Sequence, residues 1–136
     1  MATTTLQRLL SEAHRLDAHI VMAHLDPPLR AHWDDDCREL TVGIDLTMAE
    51  KKEAIAHELG HALYGHRCST PENERAADRR AAELLVDPLA YRAAEILNPD
   101  PQAIADELGL TRRMIRVYQR HHAPRVSLMK RYRSAS

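Results

Sequence analysis

The chain has 136 residues, 44% of them hydrophobic, and a net charge of −1, a balance that favours one compact domain and excludes disorder along the whole length. No apolar run approaches the roughly 20 residues needed to span a bilayer, and the start, Met1 to Gln7, lacks the basic-then-apolar order of a secretory leader. Two cysteines, Cys37 and Cys68, cannot build a disulfide framework, so the expected setting is a reducing cytoplasm with no membrane contact.

Residues 2–17 carry Leu6, Leu9, Leu10, Ala13 and Leu16 at helical spacing, which predicts an amphipathic helix. Residues 19–25 read as a short strand closed by Asp26-Pro27-Pro28, and residues 30–33 as a second strand. The acidic run Asp34-Asp35-Asp36 makes the turn after it. Residues 38–46 then alternate, with Leu40, Val42, Ile44 and Leu46 on one face, as a half-buried strand antiparallel to the one before. His14, His19, His24 and His32 show no ligand spacing and read as surface or half-buried side chains without a role. The chain has no Phe, so its core must be built mostly from aliphatic side chains and alanine.

Thr47-Met48-Ala49-Glu50 is a capping box, a hydroxyl at the N-cap with a carboxylate three residues on. It opens a helix that runs to about Tyr64 and ends at Gly65. Ser69-Thr70-Pro71-Glu72 starts another, with Pro71 at the first helical position, and this one continues to about Val86. A helix over 89–97 follows, then a break at Asn98-Pro99-Asp100-Pro101, then two short helices at 102–108 and 112–121 on either side of Gly109. One helix, a short antiparallel sheet and then helices only predict an α+β fold. Its core is expected over residues 1–98, with a helical C-terminal segment over 99–136.

His57-Glu58-Leu59-Gly60-His61 is an HExxH motif inside the capped helix. At about 100° per residue, His57 and His61 lie some 40° apart on one face, so two imidazoles converge on one metal ion, expected to be Zn2+. Glu58 sits beside that face, within reach of a water but not of the ion, and is the expected catalytic base. A catalytic zinc needs a third protein ligand and an open position. The extended HExxHxxGxxH arrangement requires Gly at position 64 and His at 67, where this chain has Tyr64 and Arg67. Cys68 lies in the loop beyond the helix and reads as a plain thiol.

Acids on the next helix remain. Glu74 and Asp78 are four apart and share a face with Ala77, Ala81 and Leu85, while Glu72 and Glu83 fall on the other side. A face of alanines lets two helices approach closely, and a mid-helix glycine such as Gly60, which costs about 1 kcal/mol relative to Ala, marks the same need. Glu74 is therefore the expected third ligand. Asp78, one turn on, is expected to accept the spare ring N–H of a ligand histidine and fix its tautomer.

His57–His61 with the following Ala-Leu-Tyr-Gly-His, then Glu74-Arg-Ala-Ala-Asp78 and Ala81-Ala82-Glu83-Leu84-Leu85, resembles the ImmA/IrrE family of small zinc metallopeptidases. The overlap covers about residues 40–90. In that family the second helix reads E-x-x-A-(N/D)-x-x-A-A-x-L-L and its first Glu is the third ligand. Family members commonly follow the Leu-Leu with Met-Pro; here Val86-Asp87-Pro88 stands instead. The resemblance implies a zincin-like fold, zinc held by His57, His61 and Glu74, Glu58 as base, and a helix-turn-helix repressor as substrate. The extended substrate is expected along an edge strand, with residues 38–46 as the candidate. Tyr64 is expected in the core.

Residues 111–136 hold eight Lys or Arg and no acid, whereas residues 1–110 hold 20 acids and 11 Lys or Arg. Residues 103–115 have the outline of a helix-turn-helix, and its second helix carries Arg112, Arg113, Arg116 and Arg120, spaced to grip phosphates. The same outline describes any pair of short packed helices. This leaves a second reading beside the peptidase, a zinc-containing protein that binds a partner or DNA without cutting it.

Overall fold

The computed structural model describes residues 4–122. The protein is a small α+β fold. Helix α1 (Thr5–Arg15) leads into strands β1 (His19–Ala23), β2 (Ala31–Asp34) and β3 (Glu39–Gly43). Helices α2 (Met48–Tyr64), α3 (Pro71–Leu85), α4 (Pro88–Leu97), α5 (Pro101–Leu108) and α6 (Arg112–His121) follow. The helix starts obey local chemistry. Thr47 and Glu50 form the reciprocal capping box of α2, and Gly65 closes it in the left-handed conformation. Thr70 caps α3 with Pro71 behind it, and Thr111 caps α6.

The sheet order is β1-β3-β2, with β3 antiparallel to β2 but parallel to β1, so the sheet is mixed and not the antiparallel one expected. The hairpin turn is built by Asp34, whose Oδ1 accepts from the backbone N–H groups of Asp36 and Cys37. Strand β3 is thus the middle of the sheet, not its edge, which corrects the expectation for residues 38–46. Alternation reports which face of a strand is buried but says nothing about its neighbours, and here the N-terminal strand returns to pair on the far side of β3. The free edge on the side of α2 belongs to β2.

Leu40 and Val42 of β3 are fully buried and meet Leu9 of α1, Leu59 of α2 and Leu85 of α3 in one core. Ile104, Met114 and Ile115 of the last two helices belong to the same cluster. In α1 the buried face is narrower than its leucines suggest. Leu9 and Ala13 are buried beside Glu12, while Leu6 and Leu10 are exposed. Glu12 is held there by Arg15 at 2.6 Å and by Arg80 of α3 at 3.0 Å, which satisfies a carboxylate that burial alone would penalise. Among the described residues, no helix is long and apolar enough to cross a membrane. The basic tail over 127–136 lies outside the described residues.

Candidate metal centre

Helix α2 places Glu53, His57 and His61 at four-residue intervals, so their side chains form one stripe. Helix α3 presents Glu74 and Asp78 at the same interval. The two stripes meet because nothing bulky separates them. A Cβ built on Gly60 would stand 2.9 Å from the Cα of Ala77 and 3.0 Å from its carbonyl oxygen. Ala77 and Ala81 are themselves fully buried. The alanine face and the mid-helix glycine therefore set the close approach expected of them.

Across this seam His57 Nε2 lies 2.7 Å from Glu74 Oε2, and His61 Nε2 lies 3.2 Å from Glu74 Oε1. The two Nε2 atoms are 3.1 Å apart. One donor atom from each of His57, His61 and Glu74 fits within a 4.8 Å cluster. Ligand bonds of about 2.0–2.1 Å in a tetrahedral site give donor separations near 3.3 Å, so two imidazoles and one carboxylate at 2.7–3.2 Å suit zinc in number, chemistry and spacing.

The outer contacts agree with that use. His57 Nδ1 is 2.8 Å from Asp78 Oδ1, so an Nδ1–H donated to the acid leaves the Nε2 lone pair for ligation. His61 Nδ1 is 3.0 Å from His66 Nδ1. The loop histidine thus stands behind the His61 ring, outside the convergent donor cluster. Ser69 donates its hydroxyl to Glu74 Oε1 at 3.0 Å. Asp78 also accepts from Arg113 of α6 at 2.6 Å, and Arg113 reaches Glu53 at 3.3 Å.

Protonation follows these surroundings. Burial pushes the Glu58 carboxyl above its ordinary value and the Glu74 charge adds to it, against the pull of His57 and His32. Burial disfavours the His57 cation, yet the Asp78 hydrogen bond and the charges of Asp78, Glu58 and Glu74 outweigh it and raise the ring. His61 is lowered by burial and by neighbouring His57. Burial acts to raise Glu74 and Asp78, but both end below the usual carboxylate range. For Glu74 the Ser69 bond and the two imidazoles prevail; for Asp78 the His57 and Arg113 bonds do.

Two clefts of about 230 and 440 Å³ flank the centre, and Ala31, Glu58 and Glu74 line both. Ala31 lies on β2, so a groove runs along that free edge past Glu58. Several expectations change here. His32, expected at the surface, is exposed and lines the groove together with Glu58; β2 and α2 meet only in the fold, so no spacing in the sequence could reveal that neighbourhood. Tyr64 is half exposed rather than in the core, on the outer side of a last turn whose His61 and Ala62 are buried. Cys68 is exposed and lines the groove without joining the convergent donors. Arg113, one of the four arginines read as a phosphate grip, also pairs with Asp78 and Glu53. All four are exposed, and the other three make no ion pair among the described residues.

No family model matches the chain, and no curated protein matches it. Among solved structures it is similar to a Mycobacterium tuberculosis transcriptional regulator, with a TM-score of 0.62 at 19% identity. The match covers 85% of this chain and 41% of the regulator, so the chain spans about two fifths of that protein's length. At this identity the likeness is one of fold.

Proposed function

We propose that the chain is a zinc-dependent endopeptidase of the ImmA/IrrE type, zincin-like in architecture, that cleaves a regulatory protein of the helix-turn-helix repressor class in the cytoplasm. The observation that carries this reading is the convergence of Glu74 on His57 and His61, with Glu58 half-buried beside them and facing a groove. The exposed free thiols of Cys37 and Cys68 suit a reducing compartment.

When bound, zinc supplies Lewis acidity, polarising the scissile carbonyl and lowering the pKa of water toward about 7. His57, His61 and Glu74 hold it, and Asp78 orients the His57 ring. Glu58 accepts a proton from the attacking water at a carboxylate oxygen and delivers it to the leaving amine. Its raised pKa matches that double duty, since a base poised nearer neutrality can also act as the acid. The substrate backbone adds to the outer edge of β2, whose free N–H and C=O groups align an extended chain without demanding a sequence.

A non-proteolytic zinc-containing regulator that binds protein or DNA is the second reading. The exposed Arg112, Arg116 and Arg120 and the transcriptional regulator of similar fold favour it. Glu58 favours the peptidase, because a merely structural site has no use for that acid. The deciding experiment incubates the zinc-loaded chain with helix-turn-helix repressor proteins from the same source and reads fragments by mass spectrometry. Glu58→Gln is expected to keep its zinc and lose cleavage. Fragments that persist with Glu58→Gln, or no cleavage by the natural chain, remove the peptidase reading.

A further inference from the structure

We propose that Arg113 is a positioning residue of the metal centre, fixing the Asp78 carboxylate so that it orients His57, and that α6 is thereby a working part of the site. This rests on the metal-centre reading above. The α2 stripe and the α3 stripe run in opposite directions, with His61 facing Glu74 and His57 facing both Glu74 and Asp78. One further step along α2 brings Glu53, a carboxylate, to the level where α3 offers Asp78, another carboxylate. The Glu53 and Asp78 side chains are only 9% and 15% exposed. The Arg113 guanidinium bridges the two screened acids at that level.

The geometry is specific to arginine. One terminal nitrogen lies 2.6 Å from Asp78 Oδ2 and the other 3.3 Å from Glu53 Oε1. A planar fork serves two acids at once, which a point charge does not. It also settles the torsion that matters. The χ2 angle of Asp is broad, so the single bond from Oδ1 to His57 leaves the carboxylate free to rock. A second bond at Oδ2 fixes its plane, and with it the direction in which His57 presents Nε2.

The Glu53 partner of Arg113 is itself anchored. The Thr111 hydroxyl, while capping α6 by accepting from Met114 N, donates to Glu53 Oε1 at 2.9 Å. Arg30, just before β2, lies 3.7 Å from Glu53 Oε2. The first turn of α6 is therefore tied to α2 one turn before His57, and the tie continues to the chain entering the groove strand.

The test is zinc affinity of the full chain, measured by competition with a chromophoric chelator. The natural chain is compared with Arg113→Met, Arg113→Lys, Asp78→Ala and the double variant, and metal-free thermal unfolding checks that each folds. Partners of metal-ligating histidines are worth about 10–100-fold in affinity. Arg113→Met is expected to weaken zinc about tenfold, and Arg113→Lys to fall between it and the natural chain. The double variant is expected to bind no more weakly than Asp78→Ala alone, because Arg113 acts through Asp78. Unchanged affinity in Arg113→Met, or losses that multiply in the double variant, would overturn the proposal. If Arg113→Met does not fold, Arg113→Lys decides alone, a several-fold loss supporting the role and an unchanged affinity refuting it. A natural chain that binds no zinc overturns the metal centre itself, an outcome visible before any variant is compared.

Discussion

Gly60→Ala tests whether close helix approach is what makes the site. The added Cβ would meet Ala77 at 2.9 Å (Cα), 3.0 Å (carbonyl oxygen) and 3.2 Å (Cβ). None of these atoms ends a flexible side chain, so only relative movement of α2 and α3 relieves the clash. Ordinary carbon contacts of about 3.5–4.0 Å require the helices to part by roughly 0.6–1 Å. Overpacking of this kind costs about 1–3 kcal/mol, and the better helix propensity of Ala returns about 1 kcal/mol. A net loss near 1 kcal/mol lowers a urea midpoint by roughly 0.5 M at an m-value of about 2 kcal/mol/M. The metal suffers more. Parting the helices carries Glu74 away from His57 and His61, beyond the tolerance of about 0.2 Å that ligand distances allow. Zinc affinity is therefore expected to fall at least about tenfold, while the far-UV spectrum stays that of a helical fold. A variant more stable than the natural chain, with its zinc affinity intact, would show that the seam has slack and that Gly60 is there for another reason.

Glu12 gives a pH-dependent expectation. Burial acts to raise this carboxyl, but the hydrogen bonds and charges of Arg15 and Arg80 prevail and hold it below the ordinary value of 4.5. A group lowered on folding contributes stability that is complete above its unfolded pKa and disappears as pH falls through its folded one. Urea midpoints of the natural chain should therefore drop below about pH 4.5 more steeply than those of Glu12→Gln; parallel slopes would remove Glu12 from the acid response. The exposed arginines of α6 give an expectation for the second functional reading. If duplex DNA binds there, Arg116→Ala and Arg120→Ala should each reduce the slope of log affinity against log salt by about 0.9 and leave zinc affinity unchanged. Binding without salt sensitivity would end the DNA reading.

What could be read from the residues alone was what local chemistry decides. Thr47 and Glu50, Thr70 and Pro71, and Gly65 set helix ends within a few residues of their own positions, so α2 and α3 were legible nearly to their termini. The pairing of Glu74 with the histidines was legible too, because alanine spacing and Gly60 encode how near two consecutive helices come. Strand order was not. Nothing local in residues 19–23 says that they pair parallel to β3 rather than beside β2, and the substrate edge was misassigned for that reason. Leu6 and Leu10 misled in a smaller way. Periodicity marks which side of α1 is apolar, whereas burial follows the narrower strip that its neighbours cover, and that strip includes Glu12. His32, His66 and Arg113 acquire their surroundings from elements brought together only by the fold.

Arg113 shows why such a role escapes a linear reading. Its partners are 35 and 60 positions away, and on α6 it lies about 100° from Arg112, at the margin of the same basic face as Arg116 and Arg120. A pattern of four arginines on one helix looks like one surface. Two nearby carboxylates divide it, because a guanidinium within reach of screened acids makes charge-assisted hydrogen bonds to them even while much of its side chain stays exposed. The repeat of four residues governs the rest. On α2 and on α3 it advances about 6 Å along the axis and 40° around it, so opposed stripes keep in step over two levels and supply imidazoles to one carboxylate. At the third level the stripe offers Glu53 where a histidine would extend the donor set. That acid cannot ligate at the same ion, and its charge is answered from α6. The helices that follow the HExxH unit therefore contribute to its electrostatics, and a fragment ending before Arg112 would leave Asp78 without its arginine and Glu53 with only the longer contact to Arg30.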